Sequence, residues 1–504
     1  MDYGMSWDEG IEWYTGWVNT KFIVDVFHLH NIVCPDGCLF DTVQELRYYK
    51  DNVYSSWFHL LACGIGRIFH IEGFYHQILL RHFMTFSLFF VGCVFLYRTI
   101  LLLFKNHLIA LLCCVLFMLQ PRFFAEQFYN LKDINFLSIV SIASYYVLNL
   151  LIYPDKNKAA IAGLVSGLAV ATRVLGVLIV AEVLVLLLVD RLYGLSNSKH
   201  NYKHMLIFFL TTFCSMVLSW PYLWMNPTGN FTEAFTRMSN FPWSGTVLLN
   251  GELIMANQLP WHYLLTWISI TVPELILILL IASIVLFMIK VIRWKSLREK
   301  YLTLRLPMYF FGIFLVPIIM VITLNSVVYD GWRHVYFIMI GGFLAIAWLL
   351  NQTILLASSK MEKSIWIILP LVAVVCFSAF LSLRRIVLIH PYQNTYFNQL
   401  APKDIRKYYE IDYWGLSYRK GLEYICAHDH RDTLIIALKG DSTHLNFVNP
   451  IFLNKLKWTE DLTKADYYLS TYRGHRDNYS EYRKKEIYSI RVGDEKILSV
   501  FKLK

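Results

Sequence analysis

The stretch ILLRHFMTFSLFFVGCVFLY, Ile78–Tyr97, decides the architecture of this chain. It is apolar over the length of a hydrocarbon core, which an α-helix crosses in about 20 residues. Its one charged side chain, Arg81, sits beside His82 near one end. Similar blocks recur at Ile134–Tyr153, Met205–Trp224, Tyr263–Ile289, Met308–Leu324, Val335–Leu356 and Ile365–Leu383. His107–Leu119 is brief, whereas Ala159–Val189 is long enough for two crossings with Arg173 at the turn. Hydrophobic residues make up 57% of the 504 residues and charged ones 16%, against about 25% charged in ordinary soluble domains. A soluble fold could not hide so much apolar surface. Runs this continuous satisfy their backbone in lipid as helices. The expected fold is an all-α polytopic transmembrane helix bundle of about ten spans.

Orientation follows from the basic residues. Arg98–His107, Asp155–Lys158, Arg191–Lys203 and Lys290–Arg305 are rich in Lys and Arg, and Lys360 with Lys363 forms a weaker fifth group. Threading the spans in order places all five on one side, which is then cytoplasmic. The other side receives residues 1–77, Gln120–Lys132, Met225–Trp261, Val327–His334 and the tail from about 389, by the same positive-inside rule. Arg384 and Arg385 are an exception to it. The net charge of +10 is therefore mostly topological and gives no support to a nucleic-acid partner.

Three regions are expected. Residues 1–77 form a first extracytoplasmic loop, with surface helices near Ile11–Val26 and Val43–Phe69. Residues 78–388 form the bundle. Residues 389–504 form a small extracytoplasmic α/β domain, because charge rises there and alternating runs appear at Thr433–Leu438, Asp466–Thr471, Ile487–Val492 and Lys496–Leu503. The last two flank Gly493-Asp494-Glu495 and read as a hairpin. Met1–Glu9 is not a signal peptide, so a first span upstream, an eleventh, is the expected means of translocating residues 1–77. Cys34 and Cys38 bracket Pro-Asp-Gly and suit either a disulfide or two free thiols.

Polar residues collect at the outer mouths of the spans. Asp8-Glu9 is an acidic pair among aromatics; adjacent carboxylates repel, so one tends to keep its proton while the other serves as a base. A solvated loop accounts better for the dipeptide taken alone. Lys132-Asp133 opens the span at Ile134, where a helix N-cap facing the headgroups and a site acid account for it equally. Arg81 lies deep enough to snorkel or to bind an anion such as a lipid phosphate. Tyr329-Asp330-Gly331-Trp332-Arg333-His334 is a polar knot between long spans; a tight turn needs Asp-Gly but not the Arg-His that follows. Glu126 and Arg173 fall on the same face. Carboxylates and cations together are the inventory for moving a group off a lipid phosphate: a base for the acceptor, cations for the departing phosphate. Transporters place such residues near the midplane of broken spans instead. A transporter or flippase of lipid-linked sugars is the alternative from another class.

These residues carry a family resemblance. Asp8-Glu9, Arg81, Asn130-Leu131-Lys132-Asp133, Ala171-Thr172-Arg173, Leu259-Pro260-Trp261-His262-Tyr263, Asp330-Gly331-Trp332-Arg333-His334 and Asp412-Tyr413-Trp414-Gly415-Leu416-Ser417 occur in this order. In that pattern the chain resembles the C-type glycosyltransferases, specifically the family 39 group of protein O-mannosyltransferases and lipid A aminoarabinose transferases. The resemblance implies an inverting glycosyltransferase that takes a sugar from a polyprenyl- or dolichyl-phosphate donor to an acceptor protein, lipid or glycan. It implies Asp8 as general base, Glu9 orienting it, and Asp133 as the second acidic residue. Arg81 would hold the donor phosphate with help from Arg173, and Lys132, Asp330, Arg333, His334 and His262 would complete substrate binding. Some relatives use a divalent cation at the second acid; no cofactor is assigned and the metal stays unknown. The tail would choose the acceptor or serve structure alone. The absence of a long tail insertion favours a bacterial inner membrane with an outward-facing site over the endoplasmic reticulum.

Overall fold

The computed structural model describes residues 2–30, 39–54, 56–194, 198–239, 241–293, 296–360, 365–440 and 442–504. Cys34 and Cys38, and with them the choice between a disulfide and two free thiols, lie outside the described residues.

Six helices among the described residues are long and apolar enough to cross a membrane: Phe74–Phe104, Asp133–Ile152, Glu274–Arg293, Leu297–Thr323, Ile338–Ala357 and Ile368–Leu388. A seventh crossing arises if His107–Met118 and Pro121–Tyr129, bent by 69° at their junction, act as one broken span. Pro121 opens the second of this pair, where its missing N–H costs nothing. The remaining apolar blocks form shorter helices, Lys156–Thr172, Val177–Leu192 and the apolar part of Ser198–Leu218. The roughly ten spans expected from the sequence at about 20 residues each therefore include several too short to cross on length alone. The Glu274–Arg293 and Ile365–Leu388 helices expose Ile278, Ile281, Val285, Phe377 and Phe380, a surface that water would not tolerate at this extent. The chain is an integral membrane protein.

Burial orders the bundle. The Asp133–Ile152 helix is 78% buried over its apolar window and Glu274–Arg293 only 22%, so the helix that begins with Asp133 is central and the other peripheral. The break at Arg173 is real: Lys156–Thr172 ends there in extended backbone, and Val174–Gly176 turns into Val177–Leu192. Gly176 makes this turn feasible, because a Cβ would collide with the backbone of Ala169 and Val170.

Tyr263–Ile289, read as one span, is two helices, Tyr263–Thr271 and Glu274–Arg293. Pro273 lacks an N–H and clashes with the preceding turn. The carbonyls this frees are taken up from the tail: Asn398 Nδ2 donates to Ser269 and Val272, and its N–H to Ile270. Of the two expected surface helices, the first begins earlier, at Trp7, and runs to Val26. The second is shorter, Trp57–Ile68, preceded by turns from Val43 to Tyr54. The Trp7–Val26 helix is no simple amphipath, since its buried face includes Glu9, Glu12, Thr15 and Asn19.

The tail carries a five-stranded sheet in the order β4-β3-β5-β7-β6, with β3 (Leu434–Leu438), β4 (Leu456–Trp458), β5 (Tyr467–Ser470), β6 (Glu486–Val492) and β7 (Glu495–Lys502). β3 pairs parallel with β4 and β5, and β7 antiparallel with β5 and β6. The β6–β7 hairpin turns at Gly493, φ +58°, as Gly493-Asp494 led one to expect. The Tyr418–His428 helix closes one face, burying Leu422 and Ile425 with Ile436, Leu469 and Val500. β4 and a separate hairpin, β1 (Thr246–Leu249) with β2 (Glu252–Met255), had no alternating signature strong enough to be read beforehand.

Candidate active site

The N-terminus of the Trp7–Val26 helix is set by Ser6, whose N–H donates to Glu9 Oε2 at 2.7 Å, and acidic residues in this first turn complement the helix dipole. Glu9 is fully buried, with its other oxygen 2.7 Å from His82 Nε2 on the Phe74–Phe104 helix. Asp8, next to it, points the other way and is 29% exposed. The adjacent carboxylates are thus divided: Glu9 fixes the helix and Asp8 faces the charged cluster.

Asp8 Oδ2 accepts from Arg333 Nη1 at 3.1 Å. The same guanidinium reaches Asp133 at 3.4 Å and Asp330 at 3.4 Å, and is 3% exposed. Its plane lies over Trp414 and Tyr329, at 4.6 and 5.0 Å from the ring centres. Arg173 pairs with the other oxygen of Asp133. Asn130 braces Asp133 from both sides, accepting from its N–H at 2.9 Å and donating to its carboxylate at 3.1 Å. Lys132 pairs with Glu12 at 3.1 Å and lies 4.5 Å from the Tyr54 ring centre. Arg473, from the loop after β5, donates to Asp330 at 2.8 Å and to the Tyr413 carbonyl at 3.0 Å.

The turn that presents Arg333 depends on left-handed backbone. Asp330 has φ +55° and Gly331 φ +77°, the second of which suits glycine best. Gly331 N–H donates to Tyr263 Oη at 3.1 Å and Trp332 Nε1 to Thr271 Oγ1 at 2.8 Å. The Leu259–Tyr263 motif is therefore the anchor of the Asp330–His334 motif, not a part of the charged cluster. His262 forms a contact with Thr266 at 3.2 Å and stays outside the cluster. His334 packs edge-on against Tyr329.

Charges shift accordingly. Burial raises the Asp8 carboxyl, but Arg333, then Lys132, outweigh it and hold it below the ordinary carboxylate value. Burial pushes Glu12 up to about 8, although Lys132 pulls the other way. Burial opposes the Lys132 charge, yet Glu12 and Asp8 keep its ammonium above the usual value. Burial, then the field of Arg333, drives the His334 imidazole well below its ordinary value, so it is neutral.

Of the residues expected in the site, Asp8, Asp133, Lys132, Arg173, Asp330 and Arg333 come together in one network, with His334 at its edge. Glu9 turns inward. Arg81 is fully buried, with Nη1 donating to the Gln77 carbonyl at 3.0 Å and Nη2 to Cys63 Sγ at 3.4 Å. It forms no pair with the cluster. Two members were missed: Glu12, four residues after Asp8 and so on the same helix face, and Arg473, which no local pattern marks. Asp8 and Asp133 are joined by a guanidinium rather than turned to a shared centre. Among the described residues no three His, Cys, Asp or Glu converge as metal ligands, and these donors do not fit a resident divalent cation.

No family model matches the chain, and no curated protein matches it. Among solved structures it is similar to the crystal structure of ArnT from Cupriavidus metallidurans in the apo state, at 13% identity and a TM-score of 0.44, over 97% of this chain and 96% of that one. The crystal structure of the same ArnT bound to undecaprenyl phosphate is similar at 12% identity and a TM-score of 0.42, over the same shares.

Proposed function

We propose that this chain is an inverting glycosyltransferase that moves a sugar from a polyprenyl-phosphate donor to an acceptor on the extracytoplasmic face of its membrane. One observation carries the reading: Asp8, ionised and partly exposed at the start of the Trp7–Val26 helix, shares Arg333 with Asp133 at the start of the Asp133–Ile152 span. A base and several cations are then gathered in one cluster beside the end of a membrane-crossing helix.

In this reading Asp8 accepts the proton of the acceptor hydroxyl or amine. The acceptor's heteroatom forms the new bond at the anomeric carbon. The bond from that carbon to the phosphate oxygen breaks, and its electron pair leaves with polyprenyl phosphate. Arg173 and Lys132 face the developing negative charge, and Arg333 keeps Asp8 deprotonated and aimed. Preorganised cations of this kind supply more in a site shielded from water than at a surface. Asp133 holds Arg173 and Arg333 apart, each on its own oxygen. Arg81, lacking any pair with the cluster, ties the Phe74–Phe104 helix to Cys63 of the Trp57–Ile68 helix.

The test uses protein in lipid nanodiscs with radiolabelled polyprenyl-phosphate sugars and a membrane extract as acceptor. Wild type should transfer sugar and release polyprenyl phosphate in equal amounts. Asp8→Asn should lose both by at least about a hundredfold, the low end for removing a general base. In sealed proteoliposomes, movement of the lipid across the bilayer with no polyprenyl phosphate released would instead establish the flippase.

A further inference from the structure

Arg473 joins the tail to the membrane-side cluster by a route that costs backbone strain. β5 ends at Ser470, and Tyr472 then takes φ +62°, followed by Gly474 at +63°. A tyrosine in the left-handed region is uncommon and persists only when its surroundings fix it. Here they do. Tyr472 Oη shares a 2.6 Å hydrogen bond with Ser499 on β7, its N–H donates to Ser470 Oγ at 3.2 Å, its carbonyl accepts from His475 N–H at 2.8 Å, and Arg406 covers its ring at 4.3 Å. The residue that this turn projects is Arg473. Its guanidinium leaves the sheet to reach Asp330, and with 27% exposure it is, with Asp8, among the most open members of the cluster.

Asp330 is saturated from two sides, Arg473 on Oδ1 and Arg333 on Oδ2. Arg333 in turn divides itself among Asp330, Asp133 and Asp8. We propose that Arg473 is a positioning residue: by pairing with Asp330 Oδ1 it weakens that carboxylate's pull on Arg333, which then faces Asp8 more fully, so that the docked tail sheet governs the cation at the base. This rests on Asp8 being the base. Arg473 touches neither donor nor acceptor in this role and acts through Asp330 and Arg333.

The groups that face Asp8 set the sign of the effect. They are Arg333, Lys132 and Arg473 as cations, Glu12 on its own helix, and the phenols of Tyr54 and Tyr329. Neutralising Arg473 removes one cation from that field and lets Asp330 draw Arg333 away. Both changes make Asp8 hold its proton more tightly, so the acidic limb of the rate profile moves to higher pH.

The experiment compares wild type, Arg473→Met, Arg473→Lys and Arg476→Ala, each full length in nanodiscs, by initial transfer rate from acid to neutral pH. Arg476 lies in the same loop and bonds the Gly251 carbonyl, outside the cluster. Arg473→Met should move the acidic limb up by about one unit, a tenfold loss of rate on that limb, with a much smaller loss at neutral pH. Arg473→Lys should restore most of the limb, and Arg476→Ala should leave it in place. Should Arg473→Met fail to fold, Arg473→Gln, which keeps donors for Asp330 and the Tyr413 carbonyl but no charge, carries the same test. A uniform loss at every pH, or an equal shift in Arg476→Ala, overturns the inference. A wild type that transfers no sugar overturns the base itself; a transferring wild type with an unmoved limb in the variants overturns only the role of Arg473.

Discussion

Arg333 is the residue on which the cluster turns. It is almost wholly buried and faces three carboxylates, Asp8, Asp133 and Asp330. Removing one partner from a buried ion-pair network leaves the rest as uncompensated charge, at a cost of about 3–5 kcal/mol. Arg333→Ala should therefore lower the thermal midpoint in detergent and abolish transfer together, whereas Arg333→Lys, a compact charge without the planar fork, should recover stability better than rate. Asp8 itself has a depressed value, so its pairing with Arg333 contributes stability above the unfolded carboxylate value and loses it as pH falls through the lower, folded one. Glu12 has the opposite sign. Held near 8 by burial, it is neutral below that pH and leaves Lys132 to Asp8 and to the departing phosphate. Above it Glu12 ionises and takes Lys132 for itself, so transfer should decline on the alkaline side. Glu12→Gln should remove that decline in a rate profile run through pH 8; a decline of unchanged midpoint would assign it to another group.

At the scale of elements, the membrane helices were legible because their apolar composition is uniform, and the tail strands because inward and outward residues alternate. What was not legible has local causes. Pro273 divides an apolar block whose hydropathy never falters, and its rescue by Asn398 lies far along the chain. Glu12 was overlooked among acidic and aromatic residues, although helical spacing from Asp8 could have found it. Arg473 could not be found, since only the tertiary fold carries it to Asp330. Two turns deliver the arginines that could be read, and each leans on one glycine. A Cβ on Gly176 would meet the Ala169 and Val170 backbone, which cannot yield as a flexible side chain can. Gly176→Ala should thus displace Arg173 from Asp133, with a stability loss of roughly 1–3 kcal/mol by overpacking and a fall in kcat larger than any change in donor KM. Unfolding in detergent and steady-state kinetics measure the two separately.

The segment before the Trp7–Val26 helix meets the tail beside the charged cluster. Tyr3 Oη donates to Gln393 at 3.0 Å, Arg419 donates to the Tyr3 carbonyl at 2.9 Å, and Asp2 lies 3.1 Å from His390. Gly4 passes so near the Leu416 carbonyl that no side chain fits, and Trp7 wedges against Gly440, Tyr418 and His444. Three residues after Gly4 the helix that presents Asp8 begins, and two residues before Leu416 lies Trp414, under Arg333. The base and the cation that steers it are thereby referred to one seam between N-terminal segment and tail. Widening that seam should uncouple them without disturbing the bundle. Gly4→Val is the direct means, because its clash is with backbone and cannot be relieved by a rotamer. The expected outcome is an unchanged helical circular dichroism signal, faster proteolytic cleavage of the tail, and transfer reduced by at least about tenfold, the equivalent of roughly 1.4 kcal/mol in transition-state stabilisation. Full activity with a protease-sensitive tail would mean that the bundle alone orders Asp8 and Arg333, and the seam would then serve stability only.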